Sequence, residues 1–279
     1  MTKLRGRMIE DMQLHGFAET TQQSYLKVVK GLAKYYRQPP DQLTEEQIRQ
    51  FFLYLVNEKQ VPRNTFRIHL CGIKFFFEST LQRQWPVFDI VRPKPSKQLP
   101  IVLSEQEVRD VLSVVKKPVA RMCLTTIYSC GLRLAEGIHL RVADIDSARR
   151  LVKVLGKGNK ERYVPLAQKT LDLLRAYWRK NRPRPWLFPG KDSNNPILRN
   201  TLHHTFKAAL RKAGISKNAS IHTLRHSYAT HLLENGVDLR LIQEILGHKS
   251  PKTTALYAHL TKKSIDAFQV TLNRIMADL

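Results

Sequence analysis

Apolar residues recur at helical spacing throughout residues 1–90, and no alternating strand pattern interrupts them. Tyr25, Val29 and Leu32 illustrate the stripe, which is typical of an amphipathic helix over Glu19–Arg37. Pro39 and Pro40 end that helix, and Thr44 with Gln47 has the form of a capping box that opens the next one. The four predicted helices cover residues 4–15, residues 19–37, a segment after Thr44 and a segment after Asn64. Together they predict an all-α bundle.

The pattern of residues 102–279 is more varied. Ser104 and Glu107 form a second capping box, and further helical stripes follow. Two β-like runs at 151–155 and 162–166 flank the glycine-rich sequence GKGNKE, which predicts an antiparallel hairpin. Helices are also predicted at residues 118–129, 168–180, 198–213, 223–234 and 238–246. This part of the chain is therefore predicted to be mainly helical with one small antiparallel sheet.

Residues 91–101 separate the two predicted domains. Within them, RPKPSKQLP (92–100) holds three prolines and three basic residues, so an extended, basic linker is predicted. At the other end of the chain, Ile265, Phe268, Leu272 and Ile275 form one more helical stripe. Such a terminal helix either packs back on its own domain or docks on a neighbouring subunit, and the pattern leaves both open.

The charge of the chain indicates its partner. With 47 Lys and Arg against 23 Asp and Glu, the net charge is +24, divided as +7 over residues 1–99 and +17 over residues 100–279. A surplus of this size favours a polyanion, first of all nucleic acid. No run approaches the roughly 18 apolar residues of a membrane span, and no signal peptide opens the sequence, so a cytoplasmic protein without a membrane partner is expected. Three cysteines without a CxxC pair predict neither disulfides nor a zinc site.

Several residues have the chemistry of a phosphate site. His222 and Arg225 lie three apart near a helix start, and Arg133 and Glu136 repeat that spacing. The planar fork of an arginine suits the two free oxygens of a phosphodiester, and a histidine can move a proton. Each pair has an ordinary structural explanation when it is taken alone. The pair of His222 and His226 lacks a third ligand, so no metal is expected.

Taken together, four segments resemble the catalytic signatures of the tyrosine recombinases, also called phage integrases. They are GLRLAEGIHLRVADID (131–146), GKGNKERYVPL (156–166), HTLRHSYATHLLENGVDLRLIQEILGHKS (222–250) and TTALYAH (253–259). The likeness is strongest to compact Xer-like members, while RPKPSKQLP and the wording around GHKSPKTT are reminiscent of integron integrases. Only 64 residues separate Lys157 from His222, which leaves little room for the extra helical insertion of that second group.

The resemblance implies a role for each matching residue. Arg133 and Arg225 would clamp the scissile phosphate, and Lys157 would protonate the departing 5′ oxygen. His222 and His248 would contact the phosphate and assist proton transfer, and Glu136 would be the acidic residue that supports this whole set. Tyr257 would be the nucleophile. The list of implied catalytic positions is then Arg133, Lys157, His222, Arg225, His248 and Tyr257.

The resemblance also implies an organisation and an activity. A SAM-like helical core-binding domain (1–90) and a linker (91–101) would precede a catalytic domain with a C-terminal exchange helix (102–279). A homotetramer would cut and rejoin two double-stranded DNA core sites without metal or ATP. The alternatives are a catalytically silent DNA-binding protein of the same fold and a type IB topoisomerase-like enzyme. Candidate DNA contacts are Arg63, Arg67, Lys74, Lys94, Lys97 and Lys160.

Overall fold

A computed structural model describes residues 3–91, 101–156, 160–247 and 262–277. The chain divides into two units, Met1–Gln98 and Leu99–Leu279. Each unit has its own cluster of buried apolar side chains.

All the regular secondary structure in the described residues of the first unit is helical. Its helices are α1 (Lys3–Leu14), α2 (Glu19–Tyr36), α3 (Glu45–Asn57), α4 (Arg63–Phe75) and the short α5 (Val87–Ile90). A 3-10 turn at Pro40–Gln42 links α2 to α3, and α4 continues into a π-helical turn at Phe76–Thr80. The four predicted helices are confirmed, whereas the π turn and α5 were not predicted.

Local sequence accounts for the ends of these helices. Thr44 and Gln47 form the predicted capping box: the Thr44 hydroxyl accepts from the Gln47 amide, and the Gln47 side chain accepts from the Thr44 amide at 2.8 Å. Gly16 follows α1 with φ +68°, a left-handed conformation that glycine adopts without strain. The aromatic residues expected in the core are there, with Phe51, Phe66 and Phe77 all buried.

The second unit combines helices with one sheet. Its helices are α6 (Glu105–Ser113), α7 (Pro118–Ser129), α8 (Leu134–Ile138), α9 (Gln168–Asn181), α10 (Arg199–Lys212), α11 (Ile221–Glu234), α12 (Leu239–Leu246) and α13 (Lys262–Ile275), with a 3-10 turn at Val142–Asp144. Helix α7 is the centre of the unit, because every residue from Met122 to Ser129 is buried. It packs against α6, α8, α9, α10 and α11.

The sheet is antiparallel and has three strands in the order β1 (Ile145–Asp146), β2 (Leu151–Leu155) and β3 (Glu161–Pro165). Leu151 pairs with Pro165 and Leu155 with Glu161, so β2 and β3 form the predicted hairpin. The Gly156 amide donates to the Lys160 carbonyl at 2.8 Å, next to the last paired residues of the two strands. The two-residue β1 was not predicted.

Helix α13 packs against α11 of the same chain. Phe268, Leu272 and Ile275 are buried in the apolar cluster of the second unit. The Asn273 side chain accepts a hydrogen bond from the Gln168 amide at 2.8 Å. None of the described helices combines the length and the apolar character that crossing a membrane requires.

Candidate active site

One buried carboxylate, that of Glu136 in α8, organises the candidate site. The Arg133 Nη1 donates to Glu136 Oε1 at 2.8 Å, and the Arg133 amide donates to Glu136 Oε2 at 2.8 Å. Residues three apart in the sequence are thus in contact here, and this contact also caps the start of α8. The Arg225 Nη1, on α11, lies 3.8 Å from Glu136 Oε2. Residues from distant parts of the sequence thus meet at one carboxylate.

A third guanidinium belongs to the same cluster. Arg162 is the second residue of β3, and its Nη1 and Nη2 donate to the two carboxylate oxygens of Glu136 at 2.9 and 2.8 Å. Its Nε donates to the Ile245 carbonyl at 2.9 Å. This fork-to-fork geometry is the strongest arrangement open to an arginine and a carboxylate.

The arginines also hold the main chain around them. Arg225 donates from Nη1 to the Gly131 carbonyl at 2.7 Å and from Nη2 to the Leu246 carbonyl. The Arg133 Nη2 donates to the Gly247 carbonyl at 3.1 Å. The end of α7 and the end of α12 are consequently bridged by the same cluster.

Gly131 shows why the chain turns as it does before Arg133. Its φ is +57°, and a Cβ there would lie 2.5 Å from the Tyr228 ring and 2.6 Å from the Leu246 side chain. Both the backbone conformation and the lack of space therefore require glycine. This turn lets the chain leave α7 and place Arg133 at the cluster.

The electrostatics of the cluster favour a bound anion. Burial alone raises the pKa of the Glu136 carboxyl, but the hydrogen bonds and charge of Arg162 and the hydrogen bonds of Arg133 outweigh it and hold that pKa at about 2. Burial, followed by the charge of Arg133, lowers the pKa of the Arg225 guanidinium to about 10. Three arginines surround one glutamate, so the cluster has a formal excess of two positive charges.

The histidines of α11 have different surroundings. His231 is buried, with Nδ1 2.9 Å from the Tyr128 hydroxyl and Nε2 2.9 Å from the Leu103 carbonyl, so it serves packing. His222 is exposed in the first turn of the helix, and its ring meets that of His226 edge-on with centroids 4.5 Å apart. Nowhere in the described parts of the chain do three metal-ligating side chains cluster.

The predicted site residues fall into two groups. Arg133, Glu136 and Arg225 are brought together, and His222 lies one turn before Arg225 on the same helix. Lys157, His248 and Tyr257 lie outside the described residues.

Four of the candidate DNA contacts are described. Arg63 and Arg67 are exposed on α4, and Lys160 is exposed at the base of the hairpin turn. Lys74 lies between two carboxylates, 3.4 Å from Glu78 and 3.4 Å from Asp89. Lys94 and Lys97 lie outside the described residues.

Arg162 is the site residue that sequence reasoning missed. A signal for it existed, because strand alternation puts Arg162 on the same face as Val164, which is buried. A charged residue at an inward position of a strand requires a buried partner of opposite charge. The identity of that partner, 26 positions earlier in the chain, was not evident from spacing.

Comparison with known proteins identifies the family. Residues 102–264 match the model described as "Phage integrase family", and residues 4–87 match "Phage integrase, N-terminal SAM-like domain". Among curated relatives, the integrase/recombinase y4qK of Sinorhizobium fredii is 44% identical over 96% of this chain and 87% of its own length. The tyrosine recombinase XerD of Oceanobacillus iheyensis is 33% identical over 91% of this chain and 92% of its own.

A solved structure shares the fold. The crystal structure of a lambda integrase tetramer bound to a Holliday junction covers 89% of this chain and 77% of its own, with a TM-score of 0.69 and 16% identity. The matched family model spans more than half of the chain, and the curated relatives cover most of it. The chain therefore belongs to the phage integrase family and is a tyrosine site-specific recombinase.

Proposed function

We propose that this recombinase cuts DNA with Tyr257 as the nucleophile. Attack on the scissile phosphate forms a 3′-phosphotyrosyl bond and releases a 5′ hydroxyl, which then attacks the partner duplex. The phosphotyrosyl bond conserves the energy of the broken phosphodiester, so rejoining requires neither ATP nor a metal. The matched signature around residues 222–259 supports this role.

The observation that carries the proposal is the cluster of guanidiniums around Glu136. Attack on phosphorus builds negative charge on the non-bridging oxygens, and fixed cations stabilise that charge more in the transition state than in the ground state. Arg133 retains 36% exposure of its side chain, so a DNA phosphate can reach it. Arg225 is buried beside it, with its guanidinium held by two carbonyls and near Glu136.

We assign the remaining roles by position. Lys157 protonates the leaving 5′ oxygen, and His222 and His248 contact the phosphate and assist proton transfer. Glu136 fixes the arginines. Two contacts support the assignment. The Gly156 amide donates to the Lys160 carbonyl on either side of Lys157 in the sequence, and Arg133 donates to the carbonyl of Gly247, the residue before His248.

The assembly we propose is a homotetramer on two double-stranded core sites. The net charge of +24 and the lambda integrase tetramer on a Holliday junction support it. In that assembly the apolar face of α13 would be exchanged between subunits, using the residues that pack on α11 here. Arg63, Arg67 and Lys160 would contact the DNA backbone, as would Lys94 and Lys97 of the linker. Because the proposed substrate is DNA, we also propose that the enzyme acts in the cytoplasm.

The test is covalent capture of the cleaved strand. Core sites are first selected from a pool of random duplexes by the Tyr257→Phe protein, which keeps the DNA-binding surface. Nicked suicide substrates built from those sites are then incubated with the unaltered protein. A denaturant-stable protein–DNA adduct is expected, and none with Tyr257→Phe. Absence of an adduct on every bound site would show a silent DNA-binding protein instead.

A second assay separates recombination from simple relaxation. Two duplexes carrying the same selected site are incubated together, and the products are resolved for Holliday junctions and recombinants. Strand exchange is expected. Relaxation of supercoiled DNA with no exchanged product would identify a topoisomerase-like enzyme.

A further inference from the structure

Arg162, the second residue of β3, has no role in the proposed function. Arg162 is 8% exposed, and its side-chain contacts reach two other parts of the second unit. The carboxylate of Glu136 accepts from both of its Nη atoms, and the Ile245 carbonyl accepts from its Nε. Every nitrogen of the guanidinium therefore has a partner.

The aliphatic part of the same side chain packs against the end of α12. A Cβ at Gly247 would lie 3.2 Å from the Arg162 Cδ and 3.3 Å from its Nε. Gly247 also has φ +64°. Arg162 thus packs directly on the turn whose carbonyls bind Arg133 and Arg225.

These contacts form a closed ring. Arg162 donates to Glu136, and Glu136 also accepts from Arg133. Arg133 donates to the Gly247 carbonyl, and Arg162 donates to the Ile245 carbonyl. The main chain from Ile245 to Gly247 closes the ring. Removing Arg162 opens this ring at two of its four contacts. The remaining charged partners of Glu136 are then Arg133, which donates to it, and Arg225, whose Nη1 lies 3.8 Å away.

We propose that Arg162 is a positioning residue of the recombination reaction. It holds Glu136 and the turn at Ile245–Gly247 so that Arg133 and Arg225 are already placed for the scissile phosphate. The inference rests on the proposed function of those two arginines. We assign Arg162 to Glu136 and not to the phosphate, because two of its guanidinium nitrogens already donate to the Glu136 carboxylate and the third donates to the Ile245 carbonyl.

The conservative replacement of Arg162 is not equivalent. A lysine supplies one point charge and cannot bind both carboxylate oxygens and a carbonyl in one plane. A displacement of about 1 Å at the reacting groups is sufficient to cost about a hundredfold in rate. We therefore expect Arg162→Lys to cleave more slowly than the unaltered enzyme and faster than Arg162→Met.

The pH dependence of cleavage distinguishes a positioning role from a general loosening of the folded domain. The groups facing Glu136 are Arg133, Arg162 and Arg225, and Tyr228 and Cys130 are neutral neighbours of these arginines whose pKa values burial raises. Arg162 supplies the largest opposing influence to the burial of Glu136. In Arg162→Met the pKa of Glu136 should rise, and cleavage should fall as acid protonates it.

The experiment measures single-turnover cleavage of the selected suicide substrate at saturating protein, between pH 5 and 9. The variants are Arg162→Met, Arg162→Lys, Glu136→Gln and a double variant that combines Arg162→Met with Glu136→Gln. Lys153→Met is the matched control, since Lys153 pairs with Glu161 at 3.3 Å on the exposed face of the same two strands. Circular dichroism and DNA affinity are measured for each.

We expect Arg162→Met to cleave about a hundredfold more slowly, with DNA affinity retained and a new acid limb. The double variant should lack that limb and be no slower than the slower single variant, because the two single changes both break the contact between Arg162 and Glu136. Lys153→Met should cleave at the unaltered rate. An Arg162→Met cleavage rate within threefold of the unaltered enzyme would overturn the proposal. So would a double variant in which the rate losses of the two single variants multiply, if Arg162→Met also shows no acid limb.

Two further outcomes are distinguishable. If the unaltered protein forms no adduct, the proposed function fails before Arg162 is tested. If Arg162→Met does not fold, Arg162→Lys decides: a natively folded Lys variant that cleaves at the unaltered rate overturns the positioning role, and a slowed one supports it.

Discussion

Replacing Glu136 by glutamine is the perturbation with the clearest energetic consequence. The side chain of Glu136 is 4% exposed, and its pKa of about 2 lies well below the ordinary value of 4.5. A gap of this size corresponds to about 3 kcal/mol of stabilisation at pH 7, since each pKa unit is worth about 1.4 kcal/mol. The neutral glutamine keeps the shape of the side chain but loses that stabilisation.

The pH dependence follows from the same gap. Because the folded-state pKa is below the unfolded value, the stabilisation is fully present above about pH 5 and is lost as the pH falls towards 2. The difference in unfolding free energy between the unaltered protein and Glu136→Gln should therefore shrink from about 3 kcal/mol at pH 7 to about 2 kcal/mol at pH 3.5.

The assay is urea unfolding of the full chain at both pH values, followed by circular dichroism. Glu46→Gln is the control, because the Arg49 and Gln50 hydrogen bonds lower the pKa of Glu46 to about 2 as well, but on the surface. Solvent screens that pair, so its loss should change stability little. A Glu136→Gln loss no larger than that of Glu46→Gln, or a loss that does not shrink with acid, would refute the reasoning.

Three other predictions test separate contacts. Gly131→Ala should unfold at a lower urea concentration than Gly236→Ala, because both have positive φ but only at Gly131 would the new methyl collide with Tyr228; equal losses would contradict this. Tyr128→Phe should cost about 1–3 kcal/mol in the same assay, because it leaves a buried histidine nitrogen unpaired; an unchanged midpoint would contradict it. Lys157→Ala should cleave slowly, and a 5′-phosphorothiolate leaving group should restore the rate; an undiminished rate on the normal phosphate would exclude the acid role.

The elements that could be predicted are those with strong local signals. The capping box at Ser104 and Glu107 opens α6, and Gly247 ends α12 with the left-handed backbone expected of it. The boundaries of α7 were predicted to the residue. Strand β1 was missed because two residues carry no periodicity, and α8 because five residues after a glycine turn do not make a stripe.

The candidate site divides in the same way. Arg133 with Glu136 was evident from local spacing, and the structure confirms that contact. The approach of Arg225 to Glu136 joins residues 89 positions apart, and it was expected only from the resemblance to a family. Arg162 was missed because its partner is set by how β3 packs against α8 and α12, which no local pattern reports.

The identity of the nucleophile is tested most directly by locating the bond to DNA. Trypsin releases residues 253–262, TTALYAHLTK, which contain one tyrosine. After cleavage of a suicide substrate and digestion of the DNA to its last nucleotide, tandem mass spectrometry is applied to this peptide. Modification on Tyr257, with none in the Tyr257→Phe protein, is the predicted result. An adduct on any other residue would contradict the mechanism.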